Sequence, residues 1–202
     1  MQRLYYFAAL AIFVAAAVLT VTAVSLPRWV SLDLTDVDRL SYGLTRKCSS
    51  LTQSCQPFPR VADCVGEEKT FCSLWRSTDY AMWVGMVLEA ATVVGFILAL
   101  AGGRARRESA WKVLSGLIVL TALVQMAAMI IVAALFEHDD RFSLGWELDV
   151  GWILTTVSWV VMLLAAASFV LLAKLLPPKE GYELIPDPRP YPPRVEHLRS
   201  GS

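Results

Sequence analysis

Four long apolar runs, at about 4–26, 80–100, 111–136 and 150–176, divide this chain, and all four of its cysteines fall in the large loop between the first two. An α-helix needs an apolar stretch of about 20 residues to cross the hydrocarbon core of a bilayer. Backbone polar groups cannot stay unpaired in lipid, so stretches of this length span as helices. A hydrophobic fraction of 56% agrees with that reading and argues against a soluble domain. The expected class is an all-α membrane protein. It would be a four-transmembrane-helix bundle carrying a small disulfide-stapled antiparallel β ectodomain in its first outer loop.

The formal net charge of zero conceals a sorting of charge between loops. The loop at 102–110 holds Arg104, Arg106 and Arg107, with Lys112 just beyond. The loop at 137–149 is acidic, with Glu137, Asp139, Asp140, Glu147 and Asp149 against Arg141. Positive charge favours the cytosolic side, which places 102–110 in the cytosol and 137–149 outside. An even number of spans then leaves both termini cytosolic and the 27–79 loop outside. That loop carries its own Lys and Arg residues, but Cys48, Cys55, Cys64 and Cys72 argue for an oxidising compartment. The sequence has no Asn, which excludes N-glycosylation. The first run has only Arg3 as a positive flank and exceeds the roughly 7–15 residues of a cleavable signal core, so it is read as a retained anchor.

In the outer loop, Val30, Leu32 and Leu34 alternate with Ser31, Asp33 and Thr35, the period-two pattern of a half-buried strand. Asp36, Val37 and Asp38 can turn the chain, after which Leu40, Tyr42 and Leu44 resume the alternation. Gly43 within that run implies a bulge or a close backbone approach. A further strand is expected at 56–61, because two strands alone are marginal in water. Four cysteines allow three pairings. The local one, Cys48 with Cys55 and Cys64 with Cys72, is the expectation, each bridge stabilising by about 2–3 kcal/mol in the chain-entropy model. A zinc site would need Cys-x-x-Cys spacing, which is absent.

These residues carry a family resemblance. Trp29 follows Pro27 at the exit of the first run, and Gly43 and Leu44 precede Cys48 and Cys55. Arg76 stands just before the second run, and the segment from Phe142 through Gly145 and Trp146 to Gly151 and Trp152 leads into the fourth. This pattern resembles the claudin and peripheral myelin protein superfamily of tetraspans. That family's first outer loop holds a tryptophan, a Gly-Leu-Trp and two disulfide-bonded cysteines. Thr45 replaces the second tryptophan, the Cys48-to-Cys55 gap is short, and Cys64 and Cys72 are additional. These departures fit the claudin-like tetraspans of fungi, which include cell-cortex proteins and PalI-type pH-sensing partners. The resemblance implies a plasma-membrane organiser acting through ectodomain and lateral contacts, with self-association or another membrane protein as partner. Its alternative is an auxiliary subunit or chaperone of a channel, receptor or membrane enzyme.

Glu89, deep in the second run, is expected to face the bundle, protonated or hydrogen-bonded, because a carboxylate there costs about 2.5–3.5 kcal/mol. Gln125, midway along the third run, is the expected partner in an interhelical polar clamp. Trp29, Trp75, Tyr80, Trp83, Trp111, Trp146 and Trp152 are read as interfacial belts against the membrane lipids. No glycine-rich phosphate loop, nucleophile elbow or metal-ligand helix pair occurs. His138 beside Asp139 and Asp140 is read as a solvated loop. The chain is therefore expected to be no enzyme, with no cofactor, metal or nucleic acid. The tail at 177–202 is proline-rich and read as disordered. Within it, Tyr182 and Ile185 match a tyrosine-based sorting signal for a cytosolic adaptor, and 188–193 offers a polyproline surface.

Overall fold

The computed structural model describes residues 2–34, 38–60, 64–66, 68–102, 104–142 and 145–175, without the side chains of 2, 3, 104–109 and 173. Tyr182, Ile185, the polyproline stretch, Asp36, Val37 and the side chains of Arg104, Arg106 and Arg107 lie outside the described residues. Four helices are long and apolar enough to cross a membrane. They are α1 (Gln2–Ser25), α2 (Glu68–Ala101), α3 (Arg104–His138) and α4 (Val150–Leu175). Helix α2 packs on α3, α3 on α4 and α4 on α1, with a thinner contact between α1 and α2.

At one end of the bundle sits a five-stranded antiparallel sheet. Its strands are β1 (Val30–Asp33), β2 (Arg39–Tyr42), β3 (Arg46–Ser49), β4 (Ser54–Pro57) and β5 (Trp146–Leu148), in the order β4-β3-β2-β1-β5. The first two strands fall where the alternation placed them, and β4 lies slightly before the expected 56–61. Two strands went unread. β3 is Arg46-Lys47-Cys48-Ser49, too polar to show a period. The 137–149 loop supplies β5, which pairs Leu32 with Trp146 and Val30 with Leu148. So short a strand is ordered by β1 alone, a partner more than a hundred residues away.

Helix α2 corrects the expected boundary at residue 80. At about 1.5 Å per residue its 34 residues reach about 51 Å, well beyond a hydrocarbon core of about 30 Å. The surplus begins at Glu68 and buries Phe71, Cys72, Trp75 and Thr78 on one stripe. That spacing is an amphipathic face, so this part of α2 holds its helical form by covering the sheet rather than by contact with lipid. Helix α3 likewise starts at Arg104, so most of the segment read as a 102–110 loop is helical.

Beneath the sheet the aromatic side chains form one packed cluster. Tyr42 meets Phe58, Trp146 and Phe142 at 4.8, 5.2 and 6.2 Å between ring centres. Phe58 reaches Trp75 at 5.6 Å, and Phe71 stacks on Trp75 at 5.5 Å. The guanidinium of Arg141 lies 4.0 Å from the Phe71 ring centre and pairs with Glu68. Trp29 and Trp75 are fully buried here, which corrects their reading as interfacial belts. The outer loop uses its tryptophans as core because a sheet this small has few other large apolar groups to bury. Tyr80 and Trp83, on the next turns of α2, are exposed as a belt requires.

Candidate functional site

Two constellations carry the residues singled out in the sequence. The first joins the sheet to the helix ends. Trp29 donates its indole N–H to the Ala23 carbonyl at 2.8 Å, satisfying an orphan acceptor at the end of α1. Its backbone N–H bonds Tyr42, fixing β2 beside it. Trp75 donates to the Leu44 carbonyl at 3.1 Å, so the Gly43–Leu44 corner hangs on α2. Arg76 reaches the Pro59 carbonyl only at 3.5 Å. A Cβ on Gly43 would lie 2.6 Å from Pro27 Cα, and one on Gly151 would lie 2.7 Å from Trp29 Cδ1 and 2.8 Å from the Arg28 carbonyl. Both glycines are therefore sites of close backbone approach. Gly43→Ala meets main chain that cannot step aside, and is expected to destabilise by about 1–3 kcal/mol or more. A lowered thermal unfolding midpoint in detergent would register it. Gly116→Ala, inside α3 and with nothing within 4 Å of the added Cβ, should not lower that midpoint.

Arg28 and Asp149 were not singled out in the sequence. The guanidinium grips the carboxylate through Nε at 2.9 Å and Nη2 at 3.1 Å. The Asp149 and Gly151 N–H groups bond the Trp29 and Arg28 carbonyls at 2.9 and 2.7 Å. This latch ties the exit of α1 to the entry of α4, residues 121 apart. Burial pushes the Asp149 carboxyl up, but the hydrogen bonds from Arg28, the Val150 N–H and Ser31 outweigh it and hold the group below its ordinary value. A carboxyl depressed in the folded state contributes stability above its unfolded value, about 3.9, and loses it as pH falls through the folded value. The latch should thus be intact at neutral pH and weaken only in acid below about pH 4. Asp149→Asn is expected to lower stability at pH 7 and to flatten this part of an acid-unfolding profile.

The disulfides Cys48–Cys55 and Cys64–Cys72 are both formed, and no cysteine among the described residues is free. Cys48 opposes Cys55 directly across β3 and β4. The second bridge fastens the loop before α2 to the helix itself, since Cys72 lies one turn inside it. All four residues of β4 are exposed, and no strand lies beyond it among the described residues. At the tip of the β3–β4 hairpin, Leu51 is 62% exposed.

The second constellation lies inside the bundle. Gln125 Nε2 donates to Glu89 Oε1 at 2.7 Å and to Thr20 Oγ1 at 3.0 Å. Thr20 meets Ser158 Oγ at 2.8 Å, and Ser158 donates to the Ala16 carbonyl at 2.9 Å. One chain of hydrogen bonds thus joins α2, α3, α1 and α4, and all four side chains are buried. It forms a polar layer between two apolar clusters. One is the aromatic core below the sheet; the other, around Phe13, Phe96, Met162 and Phe169, fills the opposite end. Glu89 and Gln125 were legible as lone polar residues in apolar runs. Thr20 and Ser158 were not, because a hydroxyl in a membrane helix normally bonds its own backbone. Gln125 Oε1 has no hydrogen-bond partner among the described residues.

His138 donates from Nδ1 to the Ala134 carbonyl at 3.0 Å, and Asp139 caps the following turn through the Arg141 N–H. They close the end of α3. The fold and these sites define a four-helix membrane protein with a disulfide-stapled sheet docked on its helix ends. No protein-family model matches the sequence, and no curated protein matches it.

Proposed function

We propose that this chain is a claudin-like tetraspan of the plasma membrane, with both termini cytosolic, that organises neighbouring membrane proteins through its outer sheet. The exposed β4 edge with Leu51 at the hairpin tip carries this reading. An unpaired edge strand invites β-pairing with another chain, and soluble proteins usually blunt such edges. Here β4 is joined to β3 by the Cys48–Cys55 bridge, and all four of its residues are exposed. The resemblance supports the same reading. Trp29, Gly43 and Leu44 stand where the superfamily has them, and each has a structural task in presenting the sheet. The expected partner is a second copy of the chain or a neighbouring membrane protein, and the Tyr182 and Ile185 motif of the tail would engage a cytosolic adaptor.

Native-membrane purification after cell-surface cross-linking tests this. A homogeneous self-complex lost in Leu51→Asp with Ser54→Lys, at unchanged surface level, is the expected result. A stoichiometric unrelated partner at the same edge would identify an auxiliary subunit. Association that ignores the hairpin and disappears on removing 177–202 would sink the sheet-centred reading.

A further inference from the structure

Between α3 and α4, at the end away from the sheet, lies an open groove of about 500 Å³. Val119 of α3 faces Leu163, Ala166, Ala167, Val170 and Leu171 of α4 across it. The α4 residues recur at helical spacing and form one stripe. Ala166 and Ala167 make the hollow, since larger side chains there would fill it. On α3, Gly116 lies one turn from Val119, and a Cβ on it would meet nothing within 4 Å. The volume falls within the roughly 300–1,000 Å³ of small-molecule sites.

The ends of the groove differ. Its inner end, at Leu163, lies near the middle of α4, and its outer end is closed by Lys174 in the last turn. Eleven residues separate the two, about 16 Å at helical rise. That is close to half of a hydrocarbon core of about 30 Å, the depth of one leaflet. Lys112 lies on α3 two turns from Val119 on the same stripe, toward the start of the helix. Both lysines are exposed, and Lys112 Nζ sits 5.8 Å from the Trp111 ring centre, an arrangement suited to the interface.

We propose that this groove holds one anionic glycerophospholipid of the leaflet opposite the sheet. An acyl chain lies along the α4 stripe, and the headgroup phosphate meets Lys174 and Lys112. The match of depth and charge carries the proposal: an apolar slot about one leaflet long with Lys174 at its end, and Lys112 two turns from Val119 on the facing helix. This inference stands apart from the role of the β4 edge and does not depend on it.

Native mass spectrometry of the purified full chain in detergent, with phosphatidylserine or phosphatidylcholine added, tests the site. The wild-type chain should retain one phosphatidylserine in preference to phosphatidylcholine. Lys174→Gln or Lys112→Gln should each reduce that preference about fivefold, the effect of one lysine near an anionic headgroup. Ala167→Leu with Val119→Phe enlarges two exposed lining side chains and should release both lipids while leaving the thermal midpoint unchanged. Glycerophosphoserine, which has the headgroup and no chains, should not compete. Equal retention of the two lipids by wild type would overturn the proposal. So would undiminished phosphatidylserine in the filled variant, or loss of a dimer rather than of lipid, which would assign the groove to a second copy.

Discussion

Trp75→Ala is expected to detach the sheet from the bundle at a cost of about 3–5 kcal/mol, the range for deleting a fully buried large aromatic. Trp75 has no exposed surface and touches Phe58, Phe71 and Phe142. Its indole N–H also holds the Leu44 carbonyl, which the substitution would leave without that donor. Trp75→Phe keeps most of the packing and loses the hydrogen bond, so it should cost less, about 1–3 kcal/mol. The discriminating measurement is limited proteolysis in the sheet alongside thermal unfolding of the helices. In Trp75→Ala the sheet should become cleavable at temperatures where the helices remain intact, because α2 crosses the membrane independently of what it carries above. A chain that loses helix and sheet together would mean that the sheet is not a separable layer.

Gln125→Leu should be the most damaging single change inside the bundle. It removes the donor shared by Glu89 and Thr20 at once and leaves Glu89, 3% exposed, without that partner among apolar side chains. A buried polar group stripped of its partner costs about 1–3 kcal/mol, and more when it carries charge. Replacing both residues, Glu89→Leu with Gln125→Leu, should recover much of that loss, since no orphan remains. The coupling between the two sites should come out at about 0.6–1.7 kcal/mol, the span measured for interhelical hydrogen bonds in lipid. Glu89→Gln is expected to be neutral or stabilising. Its amide still accepts from Gln125 Nε2 and carries no charge to desolvate. A Glu89→Gln chain that folds normally yet fails to form its native assemblies would give the carboxylate a role beyond packing.

The path from sequence to this site was uneven. Glu89 and Gln125 announced themselves because each is polar in an apolar run, yet nothing in the run ranks Thr20 and Ser158 above the other hydroxyls in α1 and α4. Which hydroxyl faces inward depends on how four helices rotate against one another. Arg28 and Asp149 were invisible as a pair for the same reason, being one charge among many on each side. The tryptophans show the opposite error. Their flanking positions beside the apolar runs suggested interfacial anchors, and only the docking of the sheet turned Trp29 and Trp75 into core. Proximity to a membrane boundary in the sequence does not say whether lipid or protein lies there.

By itself the sequence determined the four spans and the strands at β1 and β2, and it favoured without deciding the local pairing of the four cysteines and a special backbone position at Gly43. The spans and strands follow from short-range physics: the uniform apolarity that lipid demands and the alternation a half-buried strand requires. The tertiary structure alone decided where α2 begins, that the 137–149 loop gives the sheet its fifth strand, and which polar side chains meet inside the bundle. Each of those is settled by a surface that another part of the chain supplies. Phe71, Cys72 and Trp75 make a helix because a sheet covers them, and Trp146, Glu147 and Leu148 make a strand because β1 offers them an edge.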